Sequence, residues 1–394
     1  MQTAQNNRKT QLTVMARNRW DKEDGPEKHI GFASTGSDAV IVGYFCCWYN
    51  YRHSFNLPSP TTLLQPKISD DNCTILRTCE KVDCLSMERF VHPDNLTHSM
   101  TDDEVLWRAS MLPYKKGYPF DRVPKVAFMF LTRGSLPLLP LWERFFSGHD
   151  EYFSIYVHTP EDYEFNVSTD SPFYGRKIPS KDVEWGSISM VDAEKRLLAN
   201  ALLDFSNERF VLLSESCIPI YKFSIVYKYL IRSEHSFVES YDAPTRYARG
   251  RYNPKMLPYI HQYQWRKGSQ WFEIQRNLAV YIVSDTKFHA IFKKYCRPAC
   301  YPDEHYIPTY LNMFHGPLNA NRTVTWVDWS VVAPHPATYD GIDITKGIIQ
   351  SIRNKGEQCS YNSEMTSVCY LFARKFAPSA LAPLLNLTTT VMGF

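Results

Sequence analysis

From Lys125 onward short apolar runs alternate with amphipathic stretches, and that alternation leaves few folds open. Lys125–Thr132 (KVAFMFLT) has the length and composition of a buried strand. Leu138–Phe146 follows as a helix, and Tyr152–His158 (YFSIYVH) as a second strand. In Met190–Phe205 the residues Val191, Leu197, Leu198, Ala201, Leu202 and Phe205 share one helical face. Arg209–Leu213 reads as another strand and Ile225–Ile231 as another helix. Strands separated by helices predict a largely parallel sheet with crossover helices on its faces. In such a sheet ligands sit beyond the C-terminal strand ends. The ends Tyr156-Val157-His158 and Ser214-Glu215-Ser216 therefore belong to the expected site.

The first 122 residues read differently. Residues 1–36 are polar and aperiodic, as expected of a disordered tail, and Ser54–Gln65 has the composition of a linker. Residues 1–60 are thus expected to be disordered or linker-like, 61–122 to pack as an extension, and 123–394 to form the main domain. A short helix is predicted over Asp102–Ser110, with Thr101 or Asp102 as its cap. The longest apolar run, Ala39–Tyr49, falls short of the ~18–20 residues a membrane span needs. It also reads poorly as a signal peptide.

A net charge of +3 with interspersed acids and bases argues against a nucleic-acid partner. Aromatic residues reach 14%, which suits either sugar-stacking surfaces or a large aromatic core. Cysteines cluster as Cys73, Cys79 and Cys84, as Cys296 and Cys300, and as Cys359 and Cys369. Cys296 and Cys300 lack the second pair that a structural zinc site would need. Glycosylation sequons at Asn72, Asn95, Asn166, Asn321 and Asn386 fit an oxidising secretory compartment.

Eight stretches occur in order: VAFMFLTRG, FSIYVHTP, VEWGSISMVDAEKRLLANAL, FVLLSESCIPI, GSQWFEIQR, CYPDEHYIPT, VTWVDWS and LFARKFAP. Together they resemble the core-2/I-branching β1,6-N-acetylglucosaminyltransferase family, in particular its plant branch, over residues 123–387. The resemblance implies a GT-A-like α/β fold, a single main domain whose mixed, mostly parallel sheet is flanked by helices. It implies inverting transfer from a UDP-sugar to a glycan or glycoprotein hydroxyl, with no metal cofactor. Members are anchored by an N-terminal helix in Golgi or other secretory membranes, facing the lumen, so membrane association is expected although no clear anchor is visible here.

Inverting transfer needs a group that removes the acceptor proton as its oxygen attacks the anomeric carbon. The acids of Tyr301-Pro302-Asp303-Glu304-His305 precede an apolar segment, Tyr306–Met313, and so fall at a helix start. On their own both could simply cap that helix. The family position assigns the base to Glu304, with Asp303 as its support. Adjacent acids cannot serve as the two separated carboxyls of a glycoside hydrolase.

The leaving diphosphate needs an electrostatic partner. The chain has no Asp-x-Asp metal motif, and Tyr156-Val157-His158-Thr159 stands at the corresponding strand end. By resemblance Lys375, with Arg374 as a second cation, meets the phosphates. Val157, His158, Gly268 and Ser269 are expected around the donor, with Gly268 allowing close backbone approach. A second family arginine is replaced by Thr366, for which Arg246, Arg249 or Arg251 could compensate. Arg249, Arg251, Trp326 and Trp329 are the expected acceptor contacts, although either tryptophan could be core. Cys359 and Cys369 match a disulfide of the family that closes a loop before Lys375. A sugar- or nucleotide-binding protein without catalysis is the alternative reading.

Overall fold

A computed structural model describes residues 98–111, 117–297, 300–331, 333–353 and 356–394. The polar tail, the Ala39–Tyr49 run, the Ser54–Gln65 linker, Cys73, Cys79, Cys84 and the sequons at Asn72 and Asn95 lie outside the described residues.

The central sheet is built from β1 (Lys125–Leu131), β2 (Phe153–His158), β3 (Asn207–Ser214) and β5 (Glu273–Gln275), in the order β2-β1-β3-β5. The first three run parallel and β5 pairs antiparallel with β3, the mixed and mostly parallel arrangement expected. Register brings Leu131 beside both His158 and Ser214, so three strands end at one edge. Side chains alternate between sheet faces with period two. Ala127 and Met129 enter a core with α3 (Ile188–Leu202) and α5 (Arg276–Ser284). Val126, Phe128 and Phe130 enter a second core with α2 (Leu139–Phe146) and α4 (Phe223–Ile231). Phe128 sits 4.9 Å from Phe146 and 5.9 Å from Phe145, both edge to face. Burial on both sheet faces explains why these strands read as continuous apolar runs.

Two boundaries differ from the sequence reading. The long helix spans Ile188–Leu202 rather than reaching Phe205. It begins at Ser187, whose hydroxyl accepts from the Ser189 amide at 3.2 Å. It ends where Asp204 turns back to accept from the Ser206 amide at 2.8 Å. The helix α1 (Asp102–Ala109) carries a capping box in which Thr101 and Glu104 bond reciprocally. It presses Val105 and Ala109 into the α3 core, and its Asp102 accepts from Arg196 at 2.7 and 2.8 Å.

A second sheet, β4 (Ile218–Pro219), β6 (Thr325–Val327) and β9 (Phe372–Arg374), has the order β4-β9-β6 and holds the C-terminal segment against the first sheet's strand ends. The hairpin β7 (Cys359–Tyr361) and β8 (Glu364–Thr366) precedes it, and a Cys359–Cys369 disulfide ties its base. Cys296 and Cys300, weighed above only as zinc ligands, are joined to each other by a disulfide. A helix α6 (Lys287–Tyr295) leads into that link and α7 (Tyr306–Phe314) leads away from it; α8 (Lys346–Arg353) and α9 (Leu381–Leu387) follow later. Among the described residues no helix is long and apolar enough to cross a membrane.

Candidate active site

Glu304 lies on a single 3-10 turn, Pro302–Glu304, and not on the helix itself. His305 is the N-cap of α7 and no side chain caps it, so neither acid has the capping role that the sequence left open. The Glu304 carboxylate is 29% exposed, and its Oε2 accepts from Arg251 Nη1 and Lys267 Nζ, each at 2.5 Å. Among the described residues no hydrogen bond reaches its Oε1. That oxygen is available to an incoming hydroxyl. Both cations are themselves fixed. Arg251 lies 4.2 Å over the Tyr301 ring, and Lys267 exchanges two main-chain bonds with Tyr241.

Asp303 is the opposite of its neighbour, only 8% exposed and with no partner for Oδ1. Burial, then the Glu304 charge, pushes its carboxyl up to about 7. Behind it Glu194 of α3 is fully buried and raised by burial and then by Asp303; its Oε1 accepts from Gln270 at 2.9 Å. His305 has Nδ1 2.7 Å from the Arg266 carbonyl and stacks 4.5 Å from Trp265. Its burial pulls it down to about 3, so it is neutral and enclosed, and offers no base to substrate. Of three adjacent ionisable residues, only Glu304 presents a carboxylate to solvent.

The cations expected at the phosphates gather at the end of β9. Arg374 is partly buried, with its Nε enclosed and its guanidinium 4.1 Å over Trp271. Lys375 is half buried, and burial, then Arg374 and Arg133, hold its ammonium below the ordinary lysine value. Arg133 reaches Glu215 at 3.6 Å, and the Ser216 carbonyl accepts from the Phe376 amide at 3.0 Å. The strand-end pair Glu215-Ser216 thus holds this cationic corner rather than standing apart from it. His335 is lowered by burial first and then by Lys375, Arg133 and Arg374.

An aromatic wall joins the two ends. Arg251, bonded to Glu304, covers Tyr301; Tyr301 meets Trp185 at 5.0 Å; Trp185 meets His335 at 5.5 Å; and His335 feels the charge of Lys375. Trp185 is 59% exposed, so the wall is a surface and not packed core.

The other expected contact residues have varied surroundings. Val157 and His158 are fully buried; His158 Nε2 meets Arg196 at 2.8 Å, and burial lowers the imidazole to about 3. Their side chains are enclosed because the strand end faces α3 on one side and the second core on the other. Gly268 is a glycine for its neighbours' sake: an added Cβ would stand 1.8 Å from the Glu239 carbonyl oxygen and 2.9 Å from Pro308. Its amide donates to the Glu304 carbonyl at 2.8 Å, so the same close approach positions Glu304. Gly268→Ala should therefore destabilise the fold by about 2 kcal/mol or more, read as a fall in the urea midpoint; an unchanged midpoint would show that this approach is not tight. Ser269 accepts from the Trp271 amide at 3.2 Å. Trp326 is 6% exposed and belongs to the core, whereas Trp329 is 58% exposed. Arg249 is exposed and paired with Asp242 at 2.6 and 2.5 Å. Arg251, grouped with it as an acceptor contact, grips Glu304. Thr366 lies in β8 opposite Cys359. Lys267 was not singled out from the sequence, and its one signal there was its position directly before Gly268-Ser269.

A partly exposed carboxylate gripped by two cations can accept a proton, and the cluster of Arg133, Arg374 and Lys375 can offset negative charge. Comparison with known proteins agrees. Residues 126–353 match the Core-2/I-Branching enzyme family, more than half of the chain. The chain is also similar to Glycosyltransferase BC10 of Oryza sativa subsp. japonica, 38% identical over 310 residues, covering 67% of this chain and 76% of the relative. On both counts the chain belongs to the core-2/I-branching family and is a glycosyltransferase, an enzyme that carries a sugar from a donor to a glycan acceptor.

Proposed function

We propose that this glycosyltransferase takes its sugar from a UDP-sugar, works without a metal ion, inverts the anomeric carbon, and acts in the lumen of Golgi or other secretory membranes. The observation that carries the reading is the run of rings Tyr301, Trp185 and His335, which starts at Arg251 on Glu304 and ends at an imidazole within the field of Lys375. An acceptor hydroxyl gives its proton to Glu304 Oε1 while its oxygen bonds to the anomeric carbon. The bond from that carbon to the diphosphate oxygen breaks on the opposite side, and UDP leaves with the electron pair. Lys375, Arg374 and Arg133 offset the developing charge, the task that a metal performs in other transferases. The two disulfides and the exposed asparagines of the sequons at Asn166, Asn321 and Asn386 support the lumenal placement.

The test is calorimetric binding of UDP, UDP-N-acetylglucosamine, UDP-xylose and UDP-glucuronic acid to the purified chain, with and without chelator. One UDP-sugar should bind equally in both conditions, and the anomeric configuration of its product should be inverted by NMR. Loss of binding in chelator would remove the metal-independent mechanism. Failure of every UDP species to bind would remove the donor assignment.

A further inference from the structure

The cations around Glu304 exceed what the base and the donor require. Between Ser240 and Lys267 six bases, Arg246, Arg249, Arg251, Lys255, Arg266 and Lys267, stand against one acid, Asp242. That excess is larger than the net charge of +3 carried by the entire chain, so the remainder of the protein is net acidic. Local partners do not cancel it. Arg251 and Lys267 share the single Glu304 carboxylate, and Arg249 takes Asp242. Arg246 bonds to the Tyr247 hydroxyl and lies 4.5 Å over its ring. Arg266 donates to the carbonyls of Tyr263 and Trp265 at 2.8 and 3.0 Å. Among the described residues both guanidiniums thus bond only to uncharged atoms, with Arg266 also in the field of Asp242.

Arg246 connects to the base through Tyr247 and Arg251, and Arg266 directly precedes Lys267, the second cation on Glu304. Arg251 stands 5.8 Å over Tyr247 while bonded to Glu304, and Tyr241 pairs by its main chain with Lys267, the other cation on that carboxylate. On the transferase reading the donor's phosphates have their own cations, Lys375, Arg374 and Arg133, whose charges crowd one another. Charge beside Glu304 acts on the acceptor, since opposite charge draws a ligand in and orients it. Tyr247 and Tyr263, 51% and 70% exposed, keep ring surface open to solvent beyond the Arg246, Arg251 and His261 that lie over them, and that surface can meet pyranose faces. An acidic peptide would use the cations and leave that ring surface idle.

We propose that the acceptor is an anionic glycan, its acid groups received by Arg246 and Arg266 and its rings by Tyr247 and Tyr263. The proposal rests on the transferase reading above and names the acceptor class for that same site.

The test compares binding of the full chain to an oligogalacturonate, to its uncharged methyl ester of equal length, and to a polyglutamate of equal charge. At low salt the oligogalacturonate should bind about tenfold tighter than the other two, and about tenfold weaker to the Arg246→Gln/Arg266→Gln variant. Equal affinity for acid and ester would overturn the proposal. Polyglutamate binding as tightly as the oligogalacturonate would replace the glycan by an acidic peptide, and an unaffected double variant would remove the two arginines. UDP affinity, read on the same samples, reports the donor end separately. A chain that binds no UDP fails as a UDP-sugar enzyme and not as a binder of anionic glycans.

Discussion

Glu304→Gln should slow sugar transfer by about 10²–10⁴-fold, while the affinity for donor changes by no more than about twofold. The amide keeps the shape and one acceptor oxygen of the carboxylate but cannot take a proton from a hydroxyl. It also leaves Arg251 and Lys267 adjacent without the charge that now separates them, both of which bond to Oε2 at 2.5 Å. Some loss of stability is expected, so the fall in turnover must be read on protein whose unfolding midpoint is known. The two effects separate cleanly: like-charge crowding shifts the midpoint, whereas loss of the base lowers turnover in the fully folded enzyme. Neighbouring groups offer no rescue. Asp303 is buried and pushed up to about 7, and His305 is enclosed and lowered to about 3. A variant that keeps more than about a tenth of the activity would move the base elsewhere. Equal losses in turnover and donor binding would recast Glu304 as part of the donor pocket.

The parallel strands β1, β2 and β3 were legible because each is buried and shows as an apolar run, whereas β5, the second sheet and the exposed hairpin β7–β8 are strands of two or three residues that the sequence reading did not find. Boundaries were less legible. Met190–Phe205 carries its helical face past Leu202, but Asp204 folds back on Ser206 and ends the helix, a local side-chain choice that periodicity does not record. In the site, Glu304 and Lys375 were reachable through the motifs that hold them, and the aromatic wall between them was not. Tyr301, Trp185 and His335 are far apart in sequence and meet only in three dimensions. The same holds for Arg251: composition marked it as a cation on a tyrosine-rich loop, and only the fold carries it to Glu304. Burial was the other hidden variable. Nothing in Tyr156-Val157-His158 says that the imidazole turns toward Arg196, or in Gly268 that a carbonyl lies where its Cβ would be. Cys296 and Cys300 were weighed only as zinc ligands, for which a second pair was missing, and the structure joins them to each other instead.

Lys375→Ala should weaken UDP binding by about 30-fold, the lower end of what truncating one member of a buried charge pair costs. The ammonium is half buried and already crowded by Arg374 and Arg133, a grouping that is unfavourable in the free protein and is relieved by a bound diphosphate. Its pH dependence follows from the sign of that crowding. The charged form binds phosphate, and burial with two neighbouring cations lowers the pH at which the charge is lost. UDP affinity should therefore be full at neutral pH and decline on the alkaline side before an ordinary lysine, near pH ~10.4, would deprotonate. Lys375→Arg, which stays charged throughout that range, should flatten the decline. The matching substitution at Arg374 behaves differently, because that guanidinium packs over Trp271. Arg374→Ala removes packing as well as charge and should lower the unfolding midpoint, whereas Lys375→Ala should not. If Lys375→Ala binds UDP as tightly as the unaltered chain across this pH range, the diphosphate lies away from the β9 corner, and the wall from Glu304 leads to something other than a leaving group.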